Sequence, residues 1–191
     1  MFILYPLLLA LVIGAVTGGR LSRLETIRIR LWWLALAGLA IQVVLFSPAL
    51  VGIGAIGPVV YVTSSLAVLA VVLFNLRLPG APVVALGGMA NQVAILANGG
   101  FMPTSANALA AAGLDPVEGY TNSRELAAPA VEWLTDIFAL PAGLPFANVF
   151  SLGDLLIGCG IAYLTLRTMH GSDAAADPPH RSTPPLRPEQ Y

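Results

Sequence analysis

Lysine is absent from this chain, so all of its 9 basic residues are arginine. Charged side chains make up only 10% of the residues, whereas a soluble domain carries about 25% because its surface faces water. Nineteen charges (9 basic and 10 acidic) cannot cover a globule of 191 residues, which excludes a soluble enzyme. A formal net charge of −1, with no basic stripe, excludes a nucleic-acid-binding module. Cysteine occurs once, at Cys159. One cysteine can form neither an internal disulfide framework nor a multi-cysteine metal site, and neither metal nor cofactor is expected.

What fills the chain instead is apolar: 57% of residues fall in the AVILMFWYC set, and the mean hydropathy is +0.82. The missing polar surface then has to face membrane lipid. A helical span needs about 20 apolar residues, and five stretches qualify: 2–18, 31–47, 58–76, 82–97 and 149–169. The expected fold is all-α, a polytopic membrane helix bundle of about five transmembrane helices. A long extracytoplasmic loop, 98–148, separates the fourth from the fifth. The transmembrane domain takes residues 1–170. The tail, 171–191, is rich in proline and poor in apolar residues, so it is expected to be a disordered cytoplasmic segment.

Arginine placement orients the chain. Arg20, Arg23, Arg28, Arg30, Arg77, Arg167, Arg181 and Arg187 fall on one side of the five-span scheme, and only Arg124 on the other. Cytoplasmic segments carry the excess of basic residues. The N-terminus and the long loop are therefore expected outside, and the tail inside, in a bacterial cytoplasmic (inner) membrane.

Asp154 is the polar residue least expected in this setting. In a span opening at Val149 it stands five residues inside, at a cost of roughly 2.5–3.5 kcal/mol on insertion scales, and such residues are usually functional. Two structural alternatives compete. Asp154 is also suited to cap the helix start, or to hydrogen-bond a neighbouring helix. Asp136 lies in the outer loop within LTDIFALP, beside Trp133, Leu134, Ile137 and Phe138, which would hold that segment at the lipid interface. Two carboxylates that meet can share a proton and act as acid and base on a water. In the fourth span Gly87, Asn91, Ala94 and Asn98 share a helical face. Its amides suit either helix packing or substrate binding. In the fifth, Gly158 and Ala162 lie on a face with Ser151 and Asp154, so the two spans are expected to pack together. Ser105–Gly113 reads as a short helix capped by Ser105. Gln42, Ser64, Ser65 and Asn75 read as packing contacts.

The order of these pieces resembles signal peptidase II, the bacterial lipoprotein peptidase with two catalytic aspartates near the outer face. GGMAN at 87–91 is similar to that family's glycine-rich stretch ending in Gly-Asn. LTDIF, with Asp136, resembles the segment carrying its first catalytic aspartate, and PFANVFSLGDLLIGCG at 145–160 resembles the one carrying the second. The family's Asp-Arg pair is replaced here by Ala94 and Ile95, and its Asn-x-Gly-Ala-Ala-Phe segment has no close counterpart. NGGFMP at 98–103 and the overall layout look like an uncharacterised family of bacterial membrane proteins, a domain of unknown function.

The resemblance implies an aspartic-type membrane peptidase or hydrolase. Asp136 and Asp154 would be catalytic, with Asn91, Asn98 and Asn148 orienting a membrane-anchored peptide or lipoprotein substrate. The residues read by themselves also fit a non-catalytic membrane protein: a small-molecule binder, transport component or assembly subunit. Topology is directly testable. In a Cys159→Ser background, a cysteine at position 120 is expected to react with an impermeant maleimide added outside spheroplasts. Labelling only after lysis would reverse the orientation.

Overall fold

A computed structural model of the chain describes residues 2–50, 52–115, 123–126 and 128–171. The long helices among them are α1 (Leu4–Val16), α2 (Trp32–Leu45), α3 (Ile56–Phe74), α4 (Ala81–Ala97) and α6 (Leu152–Met169), with a short α5 (Ala106–Ala112) between the last two. Four short strands lie between α4 and α6: β1 (Met102–Thr104), β2 (Ser123–Glu125), β3 (Phe138–Leu140) and β4 (Asn148–Phe150). All five apolar stretches thus form helices, and the connection expected as loop carries two small sheets. The expected tail beyond residue 171 lies outside the described residues.

Local chemistry sets the helix ends. Gly18, at φ +86°, ends α1. Gly80 adopts the left-handed conformation just before α4, whose first turn contains Pro82, a position that needs no N–H partner. Gly113, also left-handed, closes α5. Ser105 precedes α5 as expected, but its side chain makes no capping hydrogen bond. Its backbone N–H instead donates to the Asp136 carbonyl at 3.1 Å.

These early stops shorten the helices. α3 (19 residues) and α6 (18 residues) are long and apolar enough to cross a membrane by length and composition. α1, α2 and α4 have 13, 14 and 17 residues, or about 20–26 Å at 1.5 Å per residue. Among the described residues, two helices rather than five reach the length of a span.

The strongest helix contacts run α1–α6, α6–α4, α4–α3 and α3–α2, so the long helices form a row in that order. Glycines decide who meets whom. On α4 and α6, Gly87 meets Gly153 and Gly80 meets Gly160. A Cβ on Gly160 would lie 2.8 Å from the Gly80 carbonyl oxygen, and one on Gly153 2.7 Å from that of Gly87. The expected pairing of these helices is correct, but Gly158 is not part of it. Gly158 faces Pro6 of α1 and Phe2 just before it, while Gly14 of α1 faces Met169 and Leu166 of α6.

Large apolar side chains cover the outward faces of the row. Leu8, Val12, Val16, Leu36, Val43 and Val59 are each more than half exposed. The two ends differ in kind. At one end Phe2 stacks on Phe150 with centroids 4.0 Å apart, Phe138 follows at 5.5 Å, and the Tyr5 hydroxyl donates to the Pro145 carbonyl. At the other, the Arg20 N–H and the Arg23 guanidinium both donate to the Met169 carbonyl, at 2.9 and 3.1 Å, and Asn75 clamps Arg30. Its Oδ1 accepts the Arg30 N–H at 2.8 Å, and its Nδ2 donates to the Arg30 carbonyl at 2.9 Å.

Gly87→Ala is expected to force α4 and α6 apart and lower stability by roughly 1–3 kcal/mol, as overpacking of a close contact does. Gly143→Ala, where a Cβ meets nothing within 4 Å, should be neutral. Thermal denaturation of the full chain compares the two. Equal melting would mean that the crossing is not tight.

Candidate functional site

Ser151 determines where α6 begins. Its backbone is extended (φ −99°, ψ 170°), its Oγ accepts the Asp154 N–H at 3.0 Å, and its own N–H donates to Asp154 Oδ2 at 3.3 Å. This is a reciprocal capping box, two orphan donors satisfied by two side chains. The helix therefore opens at Leu152, and Val149 belongs to β4. Asp154 stands in the first turn, at the end where the helix dipole favours a negative charge. It is not five residues inside a span.

Asn91 reaches this cap from α4. Its Nδ2 donates to Asp154 Oδ1 at 2.8 Å, and its Oδ1 accepts the Ser151 hydroxyl at 2.7 Å. Only this amide orientation gives the hydroxyl an acceptor and the carboxylate a donor. A Cβ on Gly153 would run into Asn91 Oδ1, so the glycine at that position makes room for the amide. Three side chains from two helices thus close a ring of four hydrogen bonds, with Ser151 wholly buried (0% exposed).

Asp136 arrives by a different route. Its N–H donates to the Pro103 carbonyl at 2.9 Å and its carbonyl accepts the Ser105 N–H, which makes a parallel bridge to Thr104. Two residues later β3 pairs with β4 in antiparallel register, Phe138 with Phe150, Ala139 with Val149 and Leu140 with Asn148. Leu134, two residues before Asp136, packs in one core cluster with Leu152, the first residue of α6. Asp136 is buried, and so is Thr104, whose Oγ1 has no hydrogen-bond partner. Residues paired across a parallel bridge project from the same face, so the Thr104 and Asp136 side chains leave the bridge on the same side.

The remaining expected residues have other work. Asn98 caps α4 at its C-terminal end. Its Nδ2 donates to the carbonyls of Ala94 and Ala130, and its Oδ1 accepts the Ala130 N–H at 2.8 Å. Asn148 is half-buried in β4 opposite Leu140. Of the five expected site residues, Asn91 and Asp154 are bonded to each other. Asp136 sits two residues from Leu134, which packs near the same helix start; Asn98 holds backbone elsewhere, and Asn148 is a strand residue of β4. Two residues complete the picture. Ser151 was readable from its SLGD capping pattern; Thr104 was not, because only the bridge places it. Among the described residues, no group of three or more His, Cys, Asp or Glu side chains could hold a metal ion.

The chain belongs to a family of unknown function, DUF5317, whose model matches residues 26–166. The match takes in Asn91, Thr104, Asp136, Ser151 and Asp154, and leaves out α1. No curated protein and no solved structure matches the chain, and the likeness to signal peptidase II is not shown.

Ser151→Ala removes both the cap and the donor to Asn91, so it is expected to cost about 1 kcal/mol for the cap and more for the orphaned amide oxygen. In a double-mutant cycle with Asn91→Ala, the two substitutions should be strongly non-additive, with a coupling of about 0.5–3 kcal/mol. Additive losses would mean that the ring is not closed in solution.

Proposed function

We propose that the chain is a multi-pass protein of the bacterial cytoplasmic membrane, with its N-terminus and β-strand segment outside, and that its outer-end polar cluster is non-catalytic. In this reading the cluster fastens the outer segment to the bundle, as in a membrane subunit that binds or assembles rather than one that cleaves. Exposed apolar faces on three helices support the placement, since a water-facing surface of that kind would associate. Helices of 13–17 residues also fit, if their flanking turns or local bilayer thinning make up the length. The orientation has support from the arginines: Arg20, Arg23, Arg30 and Arg167 all lie at the end of the row remote from Asp154.

One observation carries the non-catalytic reading. Both hydrogen-bonding partners of the Asp154 carboxylate are structural, Asn91 and the Ser151 N–H. A catalytic dyad would need that carboxylate to share its proton with Asp136. A second reading, an aspartate-dyad hydrolase acting on a membrane-anchored peptide or lipoprotein, draws on a different observation. The segment carrying Asp136 packs against the start of α6 through Leu134 and Leu152, and Asp136 is bridged to Thr104, whose buried hydroxyl has no hydrogen-bond partner. There Asp136 and Asp154 would activate water, and Asn91 would orient the second aspartate.

Exchanging the two polar residues separates the readings. In Asp154→Asn alone, the Asn91 amide can turn over, accept from the new amide and donate to Ser151 Oγ. The number of bonds is then kept. In the double variant Asn91→Asp/Asp154→Asn every bond of the ring has a counterpart, while the carboxylate moves from α6 to α4. Both variants are expected to melt within about 1 kcal/mol of wild type and to complement a deletion strain. Asp154→Leu strands the Asn91 donor and loses the cap, and should be destabilised by more than about 1 kcal/mol. If the exchanged protein folds normally and fails to complement, the dyad reading replaces the non-catalytic one, since moving a catalytic carboxylate removes its proton transfer.

A further inference from the structure

At the end of the row opposite the aspartates, a cavity of about 190 Å³ opens between α2, α3, α4 and α6. Val68, Val72 and Ile161 form its walls, and Ile29, Asn75 and Leu78 lie toward its mouth. The one polar lining residue is already spent: the Asn75 amide bonds the Arg30 N–H, the Arg30 carbonyl and the Val71 carbonyl. The walls therefore offer nothing to a polar ligand. An apolar cavity of about 150 Å³ stays dry and takes benzene, so this larger one has room for a segment of hydrocarbon chain.

The residues that adjoin this lining in sequence are the opposite in character. Ile29 stands between Arg28 and Arg30, and Leu78 follows Arg77. The three arginines are exposed, and within the described residues no ion pair or side-chain hydrogen bond engages their guanidinium groups. None of the described acidic residues from the neighbouring helices faces them in an ion pair. An apolar slot whose lining residues Ile29, Asn75 and Leu78 adjoin three exposed arginines, by sequence and through the Arg30 backbone, complements one class of molecule, an amphiphile with an anionic head and an alkyl tail. Basic pockets between helices on the cytoplasmic side of a membrane take anionic lipid head groups in this way.

We propose that this cavity is a binding site for an anionic phospholipid of the cytoplasmic leaflet. One acyl chain lies in the slot between Val68, Val72 and Ile161, and the phosphate rests on Arg28, Arg30 and Arg77. The site rests on the membrane placement proposed above, and it is independent of either reading of Asp154. It also gives the inner end of the row, where α2 meets α3 and α4 through an apolar gap, a filler in place of packing.

The test uses the full chain in detergent, titrated with phosphatidylglycerol, phosphatidylcholine of the same chains, or inorganic phosphate, and read by native mass spectrometry and thermal shift. Phosphatidylglycerol is expected to bind at least about tenfold more tightly than phosphatidylcholine, given the contribution of each arginine near an anionic head group. Inorganic phosphate should give no shift. Arg28→Gln/Arg30→Gln/Arg77→Gln should erase the preference between the two lipids, and Val72→Phe, which fills the slot, should weaken both. Equal binding of the two lipids by wild type overturns the proposal, as does a preference that survives in the triple-glutamine variant. Unchanged phosphatidylglycerol binding by a folded Val72→Phe protein would leave a surface association only, and also overturns it. If the protein is recovered in the soluble fraction of lysed cells, the membrane placement itself has failed, a result separate from loss of lipid preference in a membrane-bound protein.

Discussion

The close approach of α4 to α6 is the constraint on which the other features depend. Two glycine pairs, Gly87 with Gly153 and Gly80 with Gly160, let the backbones meet where any Cβ would collide. Small residues permit this kind of contact, and van der Waals packing over its length stabilises it. The approach also brings Asn91 within reach of Ser151 and Asp154. Without Gly153, the Asn91 amide would have no space, and the cap of α6 would lose its cross-helix partner. A polar cluster in an apolar bundle is costly when half satisfied and rigidifying when complete. Here every member of the ring has a partner.

That ring lies where the helices join the strand segment, so the segment is tied down at several points by unlike interactions. Asn98 holds the backbone of Ala130 through both its amide atoms. The bridge between Thr104 and Asp136 and the pairing of β3 with β4 bring two distant stretches of the connection together at the start of α6. Phe2, just before the first helix, and Tyr5 within it reach across to Phe150 and Pro145. Buried Asp136 is held by backbone, and Asp154 by side chains, so the two aspartates are positioned by separate devices.

The opposite end is built on another principle. The Met169 carbonyl at the end of α6 is met by the Arg20 N–H and the Arg23 guanidinium, and Asn75 fastens the turn before α2 to the end of α3. Arg23 there uses its side chain to end a helix, while Arg28, Arg30 and Arg77 are exposed beside residues that line the apolar gap. The asymmetry between a polar, strand-bearing end and an arginine-rich end underlies both the proposed orientation and the proposed lipid site.

Much of this was legible in the sequence because it is local. Hydrophobic runs broken by Gly18, Gly80 and Gly113 located the helices, and the one-sided arginines separated the two ends. Ser151 and Asp154, three apart before an apolar run, spelled a capping box that needed no tertiary information. Helix length was less legible, since composition does not say which glycine or proline ends a turn. What only the tertiary structure decided is non-local. Gly158 and Gly153 are both small residues on one helix, yet one meets α1 and the other α4, because the row order and the rotation of α6 assign the faces. Thr104 became a neighbour of Asp136 through a parallel bridge spanning more than thirty residues of chain. Local hydrogen bonding and periodicity determine elements and caps from within a few residues, whereas the partner of each face depends on how all the helices pack at once.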